Sequence, residues 1–321
     1  PEGPDIFARF VKWADVLIDN YPLGHLESYR FGWNQLSRLN PALIYTCITP
    51  YGRTGPRSDV KGDELTTIHA AGLGNLMPTR SVDVDRAPVK MGGRPVGYHG
   101  AITAALATTA ALLTRMQTGQ GTAIDISLQE VILAMVQPNV AGNRYHDTSW
   151  SRVPDRPPAM GRMKTEDGFV ILGAIEDHHF KALAELMGNP EWLSAPEWYW
   201  MPYRVHHLPD VAPLMDEWMS QQKTDTIYHE AARRGIAIGP VNSAKGVVNS
   251  RQYAARDYFV EVDHPEAGKH RYAGWPYQMS ATPPRVRRPP PQLGEHNREV
   301  YCGALGYSVD AFQRLERADA I

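Results

Sequence analysis

Cysteine is nearly missing from this chain: Cys47 and Cys302 are the two among 321 residues, far apart and in neither a CxxC nor a zinc-ligand spacing. That excludes a disulfide scaffold and points to a reducing compartment, so a cytoplasmic location is expected. Charge of one sign is missing too. A formal net charge of −2 builds no field to draw the chain to nucleic acid or anionic lipid. Long apolar runs are also scarce. The most membrane-like segment, Gly100 to Thr114, ends before Arg115 after 15 residues, short of the ~20 that span a bilayer. Its Ala and Thr content instead predicts a buried helix. No signal peptide opens the sequence. Pro1 to Phe10 reads like the middle of a domain, which implies a further strand–helix unit upstream.

Several catalytic signatures are missing as well. No G-x-S-x-G nucleophile elbow occurs. Gly72-x-Gly74 lacks the third glycine of a dinucleotide fingerprint and follows a helical stretch, which argues against a nicotinamide site. The pairs His178–His179 and His206–His207 stand without HExxH or an aspartate cluster. Adjacent side chains on a helix diverge, so no metal is expected.

What remains is the composition of a soluble globular protein, 43% apolar and 21% charged, long enough for two lobes. Helix and strand signals alternate at the start: a helix capped by Asp5 and running to Trp13, a strand VLIDN from Val16, short helices over 22–29 and 33–39, and a strand LIYTCIT from Leu43. Such alternation predicts parallel βα units. A helix within 62–74, a Gly- and Pro-rich loop over 81–95, the alanine-rich helix over 98–117, the turn TGQG, the strand TAIDIS and a helix from Leu128 follow. Pro and Arg between Ser151 and Pro158 suggest a linker. Beyond it come a strand from Phe169, a helix over 177–187, a helix over 224–234 stopped by Gly235, and the strand IAIGPV. Residues 280–291 are too rich in proline for helix or central strand, and a helix over 308–317 closes the chain. The domain boundaries expected are 1–150 for a large domain, 151–264 for a small α+β domain and 265–321 for a segment returning to the large one.

Four segments carry a resemblance. They are ADVLIDNYPLG with LNPALIYTCITPYGRTGP, the stretch from Pro88 to Gln129, DGFVILGAIEDHHFKALAELMG, and GIAIGPVNS through DYFVEVDHPEAG to PPPQLGEHNREVYCGALGYS. In this order, over nearly the whole chain, they resemble the class III CoA-transferases of the CaiB/BaiF family. The resemblance implies a Rossmann-like large domain with a smaller α+β domain, an interlocked dimer, and transfer of CoA between an acyl-CoA and a carboxylic acid, with CoA as substrate and no metal.

In that family an aspartate opens the alanine-rich helix and carries the covalent intermediates. Counting back from Arg115, its position falls on Gly97. Tyr98 and His99 are the nearest reactive groups, so His99, Tyr98 and Glu64, which matches an acidic residue facing the family's active site, are the catalytic candidates. Asn20 and Tyr21 match the family's ENF element and Lys61 a lysine that reaches the nucleotide, which makes them CoA-binding candidates. Gly92 and Gly93 offer backbone amides for an oxyanion. Ser28 departs from an arginine that contacts CoA in some members.

The missing aspartate is similar to the situation in heteromeric enzymes of the benzylsuccinate CoA-transferase type, so an aspartate-bearing paralogue is an expected partner and a homodimer the other possibility. A non-catalytic acyl-CoA-binding subunit is the main alternative. A 2-methylacyl-CoA racemase is a further one, although Asp63 stands where that branch has histidine.

Overall fold

The structure, a computed structural model, describes residues 2–78, 83, 85–147, 151 and 160–321. It divides into two compact units, residues 1–154 with 291–321, and residues 155–290. Residues 265–290 thus belong with the second unit, and the returning segment starts at 291 rather than 265. The expected linker lies outside the described residues apart from Ser151.

The first unit is built on a parallel sheet of β1 (Val16–Asp19), β2 (Ile44–Thr49) and β3 (Thr122–Ser127) in the order β1-β2-β3. Val16 pairs with Ile44 and Asp19 with Cys47, and Ile44 pairs with Thr122 on the other side. β2 is the most buried strand, as an apolar run flanked on both sides must be. α1 (Gly3–Trp13), α2 (His25–Ser28) and α3 (Trp33–Leu39) accompany β1; Val11, Leu26, Phe31, Leu36 and Leu43 form one core with the inner face of β2. Asp5 does not cap α1, which begins two residues earlier with Pro4 in its first turn. Proline suits that turn because the helix's first amides have no intrahelical partner.

α4 (Glu64–Ala70) starts in a capping box, where the Asp63 carboxylate accepts from the Thr66 amide and the Thr66 hydroxyl accepts from the Asp63 amide. α5 (Pro95–Thr118) is followed by Gly119 in the left-handed region. Gly121 then passes so close to the preceding strand that a Cβ there would lie 2.0 Å from the Leu43 carbonyl oxygen, so this crossing admits only glycine. α6 (Leu128–Leu133) and α7 (Gln137–His146) follow β3.

The expectation that the alanine-rich helix is buried is corrected. Along α5 only the stripe Val96, Gly100, Ala104 and Thr108 is buried, and the Thr108 hydroxyl meets that of Thr46 on β2 at 2.7 Å. Ile102, Leu106, Leu113 and Met116, on another stripe, are each more than 60% exposed. Small residues face the sheet, because Gly100 and Ala104 let the helix approach closely, and the larger aliphatics are turned away.

The second unit contains an antiparallel sheet of β4 (Met160–Lys164), β5 (Phe169–Gly173) and β6 (Ile238–Pro240). α8 (Asp177–Leu186), α9 (Met201–Ser220) and α10 (Thr224–Arg233) pack around it through Val170, Leu172, Phe180, Leu183, Met215 and Ile227. Buried Arg204 on α9 donates to the carbonyls of Trp198 and Ile175 and pairs with Asp177, with its guanidinium over the Phe180 ring. A buried guanidinium is tolerable only with its donors satisfied in this way. α11 (Ala244–Val248) and α12 (Arg251–Ala255) lead to a hairpin of β7 (Phe259–His264) and β8 (Gly268–Ala273). Residues 280–291 form no regular element, as their prolines require. The returning segment of the first unit carries a π-helical turn, Glu299–Ala304, and α13 (Val309–Arg317). It docks on α1, where Arg9 donates to the Leu305 carbonyl and stacks over Tyr307.

Candidate functional site

Ligands in open α/β sheets bind outside the carboxyl ends of the strands, and here those ends gather most of the candidate residues. Asn20 and Tyr21 directly follow β1. Their turn is fixed by Asp19, buried at 8% exposure, whose Oδ1 accepts the Tyr21 amide at 3.0 Å and lies 3.7 Å from the Cys47 thiol. Asn20 is exposed, and Tyr21 stacks on His25, whose ring meets Tyr29 edge-on. These rings line a recess of about 230 Å³ with Phe7, Leu26 and Phe31.

Behind this turn lies a cluster that the sequence did not signal. Arg53 donates to the Tyr45 hydroxyl and to the Cys47 sulfur, each at 3.2 Å, and pairs with Glu27 on α2. Burial pushes the Tyr45 hydroxyl above its ordinary pKa, and the bond to Asp19 adds to the rise. Burial also raises the Cys47 thiol, against the opposing hydrogen bond from Arg53. Both groups are therefore neutral donors. Only a long-range pairing reveals them, since Cys47 and Asp19 face one another through strand register. The same burial makes Cys47 an inert thiol.

The loop that carries Lys61 returns to the end of β2: a Cβ on Gly62 would lie 2.6 Å from Pro50. Lys61 is exposed there. Three residues further on, the Glu64 carboxylate reaches across to the start of α5. Its Oε1 accepts the Val96 amide at 2.7 Å and its Oε2 the Gly97 amide at 3.3 Å. These are amides at a helix N-terminus, which lack intrahelical acceptors and favour negative charge.

A Cβ on Gly97 would meet nothing within 4 Å except Glu64 Oε2, at 3.9 Å. The side-chain space at residue 97 is thus open, and Glu64 borders it. Tyr98 is 70% exposed and points away from any tight packing. His99 is half-buried and its Nδ1 bonds the Pro95 carbonyl at 2.7 Å. Since a carbonyl only accepts, Nδ1 carries the proton, and in the neutral ring Nε2 is an acceptor.

Gly92 and Gly93 are exposed in the loop before α5, where Lys90 clamps the chain by donating to the carbonyls of Met91 and Gly93. Gly93 adopts a left-handed conformation, φ 76°. Glu64 of α4 therefore reaches the start of α5, which carries Gly97 and His99, while Asn20, Tyr21 and Lys61 follow the neighbouring strands. Outside this site, His178 pairs with Glu176 and its ring lies 4.1 Å from that of His179. Among the described residues no group of three or more His, Cys, Asp or Glu is arranged to hold a metal.

This chain belongs to CoA-transferase family III: the sequence model of that family matches residues 1–297. It is 28% identical to the succinyl-CoA–D-citramalate CoA-transferase of Chloroflexus aurantiacus, over 98% of this chain and 79% of that one. It is 29% identical to the succinyl-CoA–L-malate CoA-transferase β subunit of the same organism, over 95% and 76%. Among solved structures, a CaiB/BaiF family protein from Brucella suis superposes with a TM-score of 0.79 over 94% of this chain and 79% of that one, at 25% identity. The fold and the CoA-transferase class that the four sequence segments imply are those of its relatives.

Proposed function

We propose that this chain binds an acyl-CoA along the carboxyl edge of β1 and β2 and transfers its CoA to a carboxylic acid. The observation that carries the reading is the span of the family match, 1–297, which includes every residue at this edge. Asn20 and Tyr21 hold CoA, and Lys61 draws its phosphates. The amides of Gly92 and Gly93, exposed before a helix N-terminus, serve an oxyanion. Gly97 stands at the position of the family's aspartate, so residue 97 itself supplies no nucleophile. Transfer by the isolated chain is expected to be slow for that reason. Calorimetry with CoA tests the binding half: Asn20→Ala combined with Lys61→Ala should weaken affinity at least about tenfold, or about 1.4 kcal/mol. Unchanged affinity would sink this assignment.

The working unit is a dimer. The aliphatic stripe Ile102, Leu106, Leu113 and Met116 leaves a continuous apolar face on α5, of the kind soluble proteins cover with a partner. The relative named as a β subunit favours a second reading in which the partner is a paralogue bearing the aspartate. Light scattering should report two subunits at micromolar concentration, and a monomer there would refute it. If a neighbouring paralogue co-purifies and raises turnover, the heteromer is the functional form.

A further inference from the structure

We propose that Glu64 is the carboxylate that carries the acyl group and then CoA during transfer, acting in place of a side chain at residue 97. The inference rests on the CoA-transferase reading above. A covalent route between two carboxylic acids passes through an anhydride on the protein, and forming it takes a carboxylate. Gly97 has none, and neither the Tyr98 phenol nor the His99 ring can form one. Glu64 Oε2, however, lies 3.9 Å from where a Cβ on residue 97 would stand. An aspartate there would extend its carboxylate into the region that Glu64 borders.

Two other acidic groups near this edge are committed elsewhere. Asp63 is spent on the cap of α4, where its Oδ1 accepts from the Thr66 amide and hydroxyl. Those bonds hold its carboxyl below the ordinary range. Asp19 is buried and its Oδ1 fixes the Tyr21 turn. Glu64 is half-buried and reachable.

The two amides that hold Glu64 also suit the chemistry. A Glu64 oxygen attacks the thioester carbon of the donor; the C–O bond forms, the C–S bond breaks and CoA leaves as thiolate. The thiolate then attacks the Glu64 carboxyl carbon, which releases the donor acid as a carboxylate and leaves CoA as a thioester on Glu64. As that carbon becomes tetrahedral its remaining oxygen gains charge, and the Val96 amide, now 2.7 Å from Oε1, is placed to stabilise it. The acceptor carboxylate attacks this thioester, expels CoA thiolate and forms a second anhydride. Attack of the thiolate on the acceptor's acyl carbon gives the new acyl-CoA and restores Glu64. No proton or electron is gained or lost over the cycle.

The decisive experiment incubates the full chain with succinyl-CoA as probe, traps with hydroxylamine and maps the hydroxamate by peptide mass spectrometry, alongside calorimetry with the same probe. A hydroxamate at Glu64 is expected, and mapping it needs no variant to fold. Glu64→Gln should bind the probe within about threefold of wild type, lose the hydroxamate and lose at least about 100-fold in transfer rate. Adding Gly97→Asp to Glu64→Gln should move the hydroxamate to position 97. Bound succinyl-CoA with no hydroxamate, or one on another residue, overturns the role of Glu64 and leaves the binding reading intact. No binding of the probe by wild type overturns the binding reading instead.

Discussion

The two halves of the site are held in opposite ways. At the end of β1 the Asn20–Tyr21 turn rests on a network with buried Asp19, Tyr45 and Cys47 inside and Arg53 and Glu27 toward the surface, which ties β1, β2 and α2 together. At the start of α5 the Glu64 carboxylate joins the first turn to α4 by two hydrogen bonds, beside the packing of Val96 with Ile68. Removing Asp19 leaves the buried Cys47 thiol and Tyr45 hydroxyl short of an acceptor, which costs stability in folding. The second contact lies beside the apolar cluster of Ile68, Val96 and Ile132, so its two hydrogen bonds add to a helix start that packing also holds. On the proposed reading, the half that binds CoA is the more rigid by its polar contacts, and the half that does chemistry is the looser.

The sharpest way to break that contrast is to attack the rigid half. Asp19→Ala removes a buried acceptor and strands the Tyr21 amide and the Cys47 thiol, which should cost about 2–3 kcal/mol of stability. Denaturant unfolding would show it as a lower midpoint at unchanged slope, with weaker CoA binding as the functional trace. If Asp19→Ala is as stable as wild type, the network is not what fixes the turn.

A smaller effect is expected on the other half, and of opposite sign. Gly97→Asp puts a carboxylate in a first helical turn, where the dipole favours it, and into open space. Stability should change by less than about 1 kcal/mol, because proximity to Glu64 offsets the dipole. The new carboxylate need not hold two helix amides as Glu64 does, which leaves it the better nucleophile. Steady-state transfer from succinyl-CoA should therefore rise about tenfold or more. A fall in rate would mean that residue 97 must stay empty for substrate to enter.

The contrast also explains how much of the molecule was legible in sequence. Local patterns were enough for β1, β2, β3 and for helices with a clean apolar face, such as α8 with Phe180 and Leu183 buried. α9 escaped because Pro209 and Pro213 lie inside it, and proline is read as a helix breaker when tertiary packing can in fact carry the loss. β7 and β8 escaped because their burial alternates weakly and their partner is each other. In α5 the period of small residues gave length but not orientation: with Ala and Thr on most faces, nothing local says which stripe meets the sheet. In the site, the named residues lay near recognisable turns, whereas Arg53 and Tyr45 become meaningful only when strand register sets Cys47 against Asp19. The capture of the Val96 and Gly97 amides by Glu64 spans 32 and 33 positions, and no spacing rule anticipates it.

The smallest effect is expected at His99, which tests whether chemistry in the loose half has shifted to another residue. Its Nδ1 bond to the Pro95 carbonyl lies within a single helical turn, and the carbonyl of a first-turn residue can also accept from the helix backbone. Loss of one such neutral bond is worth at most about 1 kcal/mol, and alanine's higher helix propensity returns part of it. His99→Ala should thus fold normally and keep transfer within about threefold of wild type. The pH–rate profile discriminates further, since a general base with an imidazole near neutrality imposes a rise in rate through its titration. With Glu64 as nucleophile, His99→Ala leaves the profile between pH 6 and 8 unchanged. Should the variant instead lose about 100-fold or more, together with that rise, His99 would be the base of a non-covalent route and Glu64 no more than the anchor of the helix start.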